Sequence, residues 1–251
     1  VGLAAGLDKN ADYVDALAAM GFGFIEVGTL TPRPQPGNPK PRMFRLKTEQ
    51  AIINRLGFNN KGIEQACENI GKLRNRGVLG INIGKNFDTP AQQANQDYIH
   101  CLRRACQLAD YITVNISSPN TPGLRNLQFG DEFNSLLDEL KEEQARLQAQ
   151  HNIYTPIAVK LAPDMTQEQI VSCCESLLSR QFDGVIATNT TIDKSVVTSS
   201  PFAEEAGGLS GAPLSEKSRE VLQCIKAEVG ERMPIIGVGG IMSADHAQQR
   251  L

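Results

Sequence analysis

The sequence predicts an α/β protein of the (β/α)8 TIM-barrel class, with the eighth strand apparently missing from this chain. Short apolar, β-branched runs alternate with longer amphipathic segments, and this alternation is typical of βα units that build a parallel sheet. The apolar runs are continuous, which suits parallel strands buried on both faces. A doubly wound sheet fits the alternation equally well. The polar residues that follow each predicted strand favour the barrel.

These runs define the predicted elements. Strands are predicted at Gly2–Leu7, Phe22–Gly28, Val78–Gly84, Tyr111–Ile116, Pro156–Ala162, Gly184–Thr188 and Pro234–Gly239. Helices are predicted at Gly62–Arg76, Ala91–Leu108, Phe133–Gln150, Thr166–Arg180 and Ser215–Val229. Thr166 and Gln169 have the spacing of a capping box. The connections 29–61 and 117–131 are long, polar and contain several prolines, and long ordered loops are usually functional.

Composition limits the possible functions. The 251 residues fit one domain over 1–251, and a net charge of -3 gives no reason to expect a nucleic-acid partner. The six cysteines lack metal-binding spacing, so we expect free, buried thiols and a reducing compartment. No apolar run has the length of a membrane-spanning helix. The chain opens on Val1 and stops at Leu251 within a helical pattern, so we expect truncation at both ends.

The polar residues at the carboxyl ends of the strands predict an active site, because barrels of this class build it there. They are Asp8, Lys9, Thr29, Asn82, Lys85, Asn115, Ser117, Ser118, Asn120, Thr121, Lys160, Thr188, Asn189, Thr190, Gly239 and Gly240. Asparagine amides pair a donor with an acceptor, which matches the alternating C=O and N–H groups of a flavin or a pyrimidine. Lys9 and Lys160 would offset negative charge on such a ligand, and the glycine pair suits a phosphate-binding turn. The sequence has no metal-binding cluster, so metal catalysis is not expected.

Several long motifs resemble those of the dihydroorotate dehydrogenase family. They are Ala5–Asn10, Gly28–Asn38, Asn54–Asn60, Ile81–Gly84, Asn115–Gly123, Ala158–Lys160, Ala187–Thr190 and Gly207–Gly211. The resemblance covers essentially the whole chain. It implies an FMN-dependent barrel that oxidises (S)-dihydroorotate to orotate in pyrimidine biosynthesis.

The resemblance also implies contacts, residue by residue. The FMN contacts fall on Ala4, Ala5, Gly6, Leu7, Asp8, Lys9, Thr29, Asn82, Asn115, Lys160, Thr188, Gly211 and Gly240. The substrate contacts fall on Lys9, Asn54, Arg55, Leu56, Gly57, Phe58, Asn115, Asn120, Asn189 and Thr190.

Position 118 bears on the class within this family. Ser118 resembles the catalytic base of the quinone-reducing class, whereas the soluble class has cysteine at this position. The resemblance implies that Thr121 relays the proton, that Phe58 excludes solvent and that Lys160 stabilises negative charge on the reduced flavin. Serine is a weak base at its free pKa, so it needs help from its neighbours.

The quinone-reducing class implies a quinone as a partner and a peripheral location at the membrane surface, on the cytoplasmic side of the inner membrane if the source is bacterial. We expect a monomer, and we expect the N-terminal helical element that reaches the membrane and the phosphate-binding loop of strand eight to lie outside this chain. Four alternatives remain: a soluble enzyme using fumarate or NAD, another FMN barrel that reduces pyrimidines or tRNA uridines, a flavin-binding barrel without turnover, and an inactive fragment.

Overall fold

A computed structural model describes residues 1–74, 77–121 and 123–251. The strands are β1 (Phe24–Leu30), β2 (Met43–Leu46), β3 (Ala51–Asn54), β4 (Val78–Ile83), β5 (Tyr111–Asn115), β6 (Ile157–Leu161), β7 (Gly184–Ala187), β8 (Gly208–Gly211) and β9 (Ile235–Gly237). The helices are α1 (Val14–Ala19), α2 (Ile63–Ile70), α3 (Ala94–Ala105), α4 (Gly130–His151), α5 (Gln167–Ser179), α6 (Ser215–Val229) and α7 (Ala244–Gln248).

The parallel sheet has the order β1-β4-β5-β6-β7-β9. Its strands are mostly apolar, as is typical of strands buried on both faces; β4, for example, is buried at every residue after Val78. Six of the seven predicted strands are confirmed as members of this sheet. Their bounds agree to within two residues, and the largest shift is in β1, which begins and ends two residues later than predicted.

The first predicted strand, Gly2–Leu7, is wrong. Only Leu3 takes part in strand pairing, through an isolated parallel bridge to Ile25. Gly6 has a φ of 123°, in the region that favours glycine, and this turns the backbone out of the extended conformation. The Asp8 carboxylate then accepts hydrogen bonds from the backbone N–H groups of three later residues, which stabilises a loop where the sequence predicts the end of a strand.

A second, antiparallel sheet with the order β2-β3-β8 was not predicted. Its first two strands form a hairpin inside the long connection 29–61. Phe44 and Leu46 of β2 are buried while Met43 and Arg45 are exposed. This alternation is the signal of a half-buried strand, but it spans only four residues, and five prolines precede it in the same connection.

The helix predictions are mostly confirmed. The bounds of α6 agree with the prediction, and α5 begins at the predicted capping box, in which both hydrogen bonds between Thr166 and Gln169 form. The predicted helix Gly62–Arg76 is shorter in the structure, where α2 ends at Ile70, and its residues 75 and 76 lie outside the described residues. The prediction Ala91–Leu108 corresponds to a 3-10 turn followed by α3, and α1 was not predicted.

The chain divides into two compact units, each built from three segments. The first unit consists of Val1–Gly37, Phe58–Asn115 and Phe133–Val159, and the second of Asn38–Gly57, Ile116–Glu132 and Lys160–Leu251. A single catalytic domain over 1–251 stays a prediction. In the described part of the chain, no helix is both long and apolar enough to cross a membrane.

The cysteines are free, as predicted, and all except Cys224 are buried. Burial raises the pKa of the Cys173 and Cys174 thiols to about 12. These thiols therefore stay protonated at neutral pH and pack as small apolar side chains.

Candidate active site

The first unit contains a buried chain of polar side chains drawn from three neighbouring strands. Asn115 Nδ2 donates to Thr29 Oγ1 at 2.9 Å, and the Thr29 hydroxyl donates to Asn82 Oδ1 at 2.6 Å. Asn82 Nδ2 in turn donates to Glu26 Oε1 at 2.8 Å. We call these four residues (Glu26, Thr29, Asn82 and Asn115) the amide network. Three of its members are predicted flavin contacts, so the structure brings these three together.

Glu26 was missed by the sequence analysis. Its side chain is only 3% exposed, and its second oxygen accepts hydrogen bonds from Tyr111 Oη and Thr113 Oγ1, each at 3.0 Å. A carboxylate can only accept, so it fixes which way the Asn82 amide is turned. Burial, followed by the charge of Glu26, raises the pKa of Tyr111. The sequence feature that could have revealed Glu26 is its position as a single glutamate inside the apolar run of β1.

The ring of Phe58 packs in the first unit, close to Gly84 and Thr29. A Cβ atom on Gly84 would lie 2.8 Å from Thr29 Cγ2 and 3.0 Å from the Phe58 ring, so this position has room for glycine only. Phe58 itself has a φ of 51°, which is rare for a bulky side chain. Such backbone outliers cluster at functional sites, and this favours a functional role for Phe58.

The segment Ala4–Lys9 forms a loop. Leu7 is 71% exposed, while Asp8 is buried and uses its carboxylate to hold the backbone of the same loop. The Asp8 carbonyl accepts from Gly28 N at 2.9 Å, which ties this loop to β1. Lys9 is half-buried.

In the second unit, the loop after β5 carries Ser118, which is 5% exposed. Its Oγ accepts a hydrogen bond from Asn120 N at 3.2 Å. The Asn120 amide donates to the carbonyl of Asn54 at 3.2 Å and lies 3.4 Å from its side-chain oxygen. Thr121 is buried, and its Oγ1 has no hydrogen-bond partner among the described residues. Pro122 lies outside the described residues.

Asn189 and Thr190 follow β7 in the same unit. Asn189 Nδ2 donates to Ser117 Oγ at 3.0 Å, and Asn189 Oδ1 accepts from Thr190 N at 2.8 Å. Gly208 lies so close that any Cβ atom there would overlap the Thr190 hydroxyl. The second unit therefore brings together five predicted residues. Asn120 contacts Ser118 and Asn54, and Asn189 contacts Thr190 and Ser117, the residue before Ser118.

Two further residues of the second unit, Arg125 and Asp164, connect these loops. Arg125 donates from Nε to the Ser117 carbonyl at 3.0 Å, from Nη1 to Asp164 Oδ2 at 2.8 Å and from Nη2 to the Thr190 carbonyl at 2.9 Å. Asp164 also accepts from the Thr191 hydroxyl and from Ile192 N. Sequence analysis missed both residues.

Asp164 remains ionised although it is mostly buried. Burial opposes its ionisation, but hydrogen bonds from Thr191, Ile192, Lys217 and Arg125 outweigh this and hold its pKa below the ordinary value. The Lys217 ammonium lies 3.0 Å from Asp164 Oδ1. Asp164 thus supplies a fixed negative charge between two cations.

Four of the remaining predicted residues have little freedom to move. Lys160 is buried in β6, and Thr188, directly after β7, donates from its N–H to Val238 O at 2.9 Å. Gly211 and Gly240 have φ values of 97° and 68°, and a Cβ atom on either would overlap backbone atoms nearby. Rigid backbone at such positions suits close approach of a ligand.

Arg55 and Leu56 directly follow β3. The Arg55 guanidinium pairs with Glu205 at 2.7 Å and stacks 4.7 Å from the centre of the Phe44 ring. Leu56 and Gly57 follow, and the carbonyl of Leu56 accepts from Asn38 N at 3.1 Å. The Arg55 side chain is thus engaged within the unit.

The donor set fits a flavin better than a metal. Amides, hydroxyls and a buried lysine offer the donors and acceptors that a flavin ring and its negative charge require. In residues 1–74, 77–121 and 123–251, no group of three or more His, Cys, Asp or Glu side chains could hold a metal ion.

The parallel strands lie in consecutive order without the reversal of a doubly wound sheet, and polar side chains lie at their carboxyl ends, so the fold and site are those of an α/β-barrel enzyme. The sequence model of the dihydroorotate dehydrogenase family matches residues 1–251. The dihydroorotate dehydrogenase (quinone) of Marinobacter nauticus is 59% identical over 251 residues, which is 100% of this chain and 74% of that protein. The protein of the same name from Vibrio cholerae is 55% identical, again over 100% of this chain and 75% of its own length.

Solved structures agree. A crystal structure of DHODH from Eimeria tenella in complex with ferulenol superposes with a TM-score of 0.92 at 39% identity, covering 99% of this chain and 72% of that one. The predicted barrel class is thereby confirmed. The chain belongs to the dihydroorotate dehydrogenase family, whose members are flavin-dependent enzymes.

Proposed function

We propose that this chain oxidises dihydroorotate to orotate with FMN as its cofactor and a quinone as the final electron acceptor. The observation that carries the proposal is the buried Ser118 hydroxyl, which accepts a hydrogen bond from Asn120 N while the Asn120 side chain bonds Asn54, in a chain of this family. Relatives 54–59% identical to it bear the name dihydroorotate dehydrogenase (quinone), and this supports the choice of acceptor.

Residues of the amide network would hold the flavin ring in the first unit. Their directional chain of donors and acceptors presents fixed groups to a ring with C=O and N–H edges. The other proposed flavin contacts are Ala4, Ala5, Gly6, Leu7, Asp8, Lys9, Lys160, Thr188, Gly211 and Gly240. When bound, the flavin supplies a two-electron acceptor for the hydride that leaves C6 of dihydroorotate.

Asn54, Asn120, Asn189 and Thr190 of the second unit would bind the substrate. The other proposed substrate contacts are Lys9, Arg55, Leu56, Gly57, Phe58 and Asn115. Amides satisfy the C=O and N–H groups of the dihydropyrimidine ring, and the Lys9 ammonium would pair with its carboxylate. Replacing Asn120 or Asn189 with alanine should weaken orotate binding by about 1–3 kcal/mol each, because ring donors or acceptors lose their partners.

Ser118 would accept the proton from C5 of dihydroorotate. The hydrogen bond from Asn120 N to Ser118 Oγ stabilises negative charge on that oxygen as the serine gives up its own proton. The buried Thr121 hydroxyl would relay that proton, directly or through a water molecule, taking it on Oγ1 and passing its own proton on toward solvent. Phe58 would exclude solvent, and the Lys160 ammonium would stabilise the negative charge that remains on the reduced cofactor.

The test is anaerobic reduction of the purified, yellow holoenzyme by dihydroorotate, followed as loss of flavin absorbance. Wild-type protein should bleach, and the Ser118→Ala variant should keep FMN and orotate binding but reduce about a hundredfold more slowly. Ser135→Ala, on the exposed surface of α4, is the matched control and should behave as wild type. Bleaching of the Ser118→Ala variant at a near wild-type rate would remove Ser118 from the reaction.

We also propose a monomer that associates peripherally with a membrane, on the cytoplasmic side of the inner membrane if the source is bacterial. Quinone-dependent members of the family are typically membrane-associated, and the quinone itself dissolves in lipid. The full-length protein should float with lipid vesicles and reduce a soluble quinone analogue. Strong reduction of fumarate or NAD with no response to quinones would assign the soluble class instead.

A further inference from the structure

The loop that carries Ser118 has no regular secondary structure at 116–121. Side chains from other segments contact it: Asn189 bonds the Ser117 hydroxyl. Arg125 contacts this loop and a second substrate loop at once, since its three donor atoms reach the Ser117 carbonyl, Asp164 Oδ2 and the Thr190 carbonyl, all at 2.8–3.0 Å. The Ser117 carbonyl belongs to the peptide group directly before Ser118.

Asp164 contacts the segment that follows β7. Besides Arg125, it accepts from the Thr191 hydroxyl and from Ile192 N, so it fixes the backbone that follows Asn189 and Thr190. Arg125 and Asp164 are mostly buried, with side chains 20% and 12% exposed. Neither belongs to the proposed substrate or flavin contacts.

We propose that Arg125 and Asp164 act as a positioning pair that sets the Ser118 hydroxyl relative to Asn189 and Thr190. This inference rests on the proposed function, because it concerns the loop of the proposed base. A guanidinium group is planar and presents its donors in a rigid fork, so it can hold three acceptors in fixed directions at once. Catalysis depends steeply on such placement, since misplacement by about 1 Å can cost about a hundredfold in rate.

The Arg125–Asp164 pair differs from an ordinary surface ion pair because it also bonds the backbone of two loops. Arg104 and Glu64 also form a two-pronged pair, at 2.7 and 2.6 Å, but both side chains are half-exposed and lie on helices outside the loops. Removing that pair should cost little. It therefore provides a matched control for the loss of an arginine–carboxylate contact.

The first measurement is amide hydrogen exchange on the holoenzyme without substrate, in wild type, Arg125→Ala, Arg125→Lys, Asp164→Asn and Arg104→Ala. Exchange at 118–121 and 190–192 should become at least tenfold faster in the Arg125 and Asp164 variants and stay unchanged in Arg104→Ala. Arg125→Lys keeps the charge without the fork, so it guards against misfolding of the alanine variant. Unchanged exchange in both segments would overturn the proposal.

The second measurement is the rate constant of flavin reduction at saturating dihydroorotate. It should fall at least tenfold in Arg125→Lys and Arg125→Ala, and millimolar guanidinium ion should restore part of it in Arg125→Ala only. Faster exchange combined with a wild-type reduction rate would also overturn the proposal, because the position of the loop would then not matter. If wild-type holoenzyme is not reduced by dihydroorotate, the proposed function fails, and the exchange data still decide whether Arg125 holds the loop.

Discussion

Removing the Glu26 carboxylate should destabilise the protein more than any ordinary surface change. Three donors converge on it, namely Asn82 Nδ2 at 2.8 Å and the hydroxyls of Tyr111 and Thr113 at 3.0 Å. An unpaired buried donor costs about 1–3 kcal/mol. The hydroxyls can rotate toward other acceptors, but the Asn82 amide cannot, so Glu26→Ala should lower the free energy of unfolding by about 2–3 kcal/mol, the upper part of that range, because the lost acceptor is charged.

Glu26→Gln keeps the shape of the side chain and removes its charge. The glutamine oxygen can still accept from Asn82, and the two hydroxyls can turn to accept from its NH2 group. Only the extra strength of bonds to a charged acceptor is lost, so we expect a cost of about 1 kcal/mol.

Urea denaturation of wild type, both variants and Glu216→Ala measures these differences. Glu216 is an exposed glutamate paired with one arginine on α6, and its removal should change the free energy of unfolding by less than about 0.5 kcal/mol. Equal costs for Glu26→Ala and Glu26→Gln would refute the idea that buried donors depend on this carboxylate. A cost below about 0.5 kcal/mol for both would do the same.

Three other predictions concern separate parts of the chain. Gly84→Ala should destabilise the protein by about 1–3 kcal/mol in urea denaturation, because its Cβ would overlap Thr29 and the Phe58 ring; a wild-type midpoint would contradict this. Ser118→Cys should keep some activity with a pH–rate profile that shifts toward the ionisation of a thiol, near pKa ~8.5, whereas an unchanged profile would point to another base. Two arginines lower the pKa of Glu143 from 4.5 to about 2, so Glu143→Gln should cost about 1 kcal/mol at neutral pH. That cost should shrink as the pH falls from about 4.5 toward about 2, and a cost independent of pH would rule out the ion pair as its cause.

The sequence predicts the parallel sheet well because each of its strands is a continuous apolar run. It fails where the run is short or interrupted: the residues before Asp8 are apolar, but Gly6 turns them into a loop. The hairpin of β2 and β3 was not predicted because its strands have four residues each. A four-residue alternation carries little information without knowledge of its partner strand.

The same limit applies to the candidate site. The asparagines after the strands could be found, since their position in the barrel class is general. Arg125 could not be found, because its partners Asp164 and Thr190 are 39 and 65 residues away in sequence. Glu26 is similar, because it meets Asn82 across 56 residues. Only the folded structure reveals what these charges bond.

The small antiparallel sheet has a consequence for how the chain can change in length. Asn54, the last residue of β3, is paired with Met43 on one side and Gly208 on the other. Side chains alternate between the faces of a strand, so inserting or deleting one residue within 51–54 would turn Asn54 to the opposite face. The hairpin inside the polar connection 29–61 can therefore accept substitutions but no change in the number of residues.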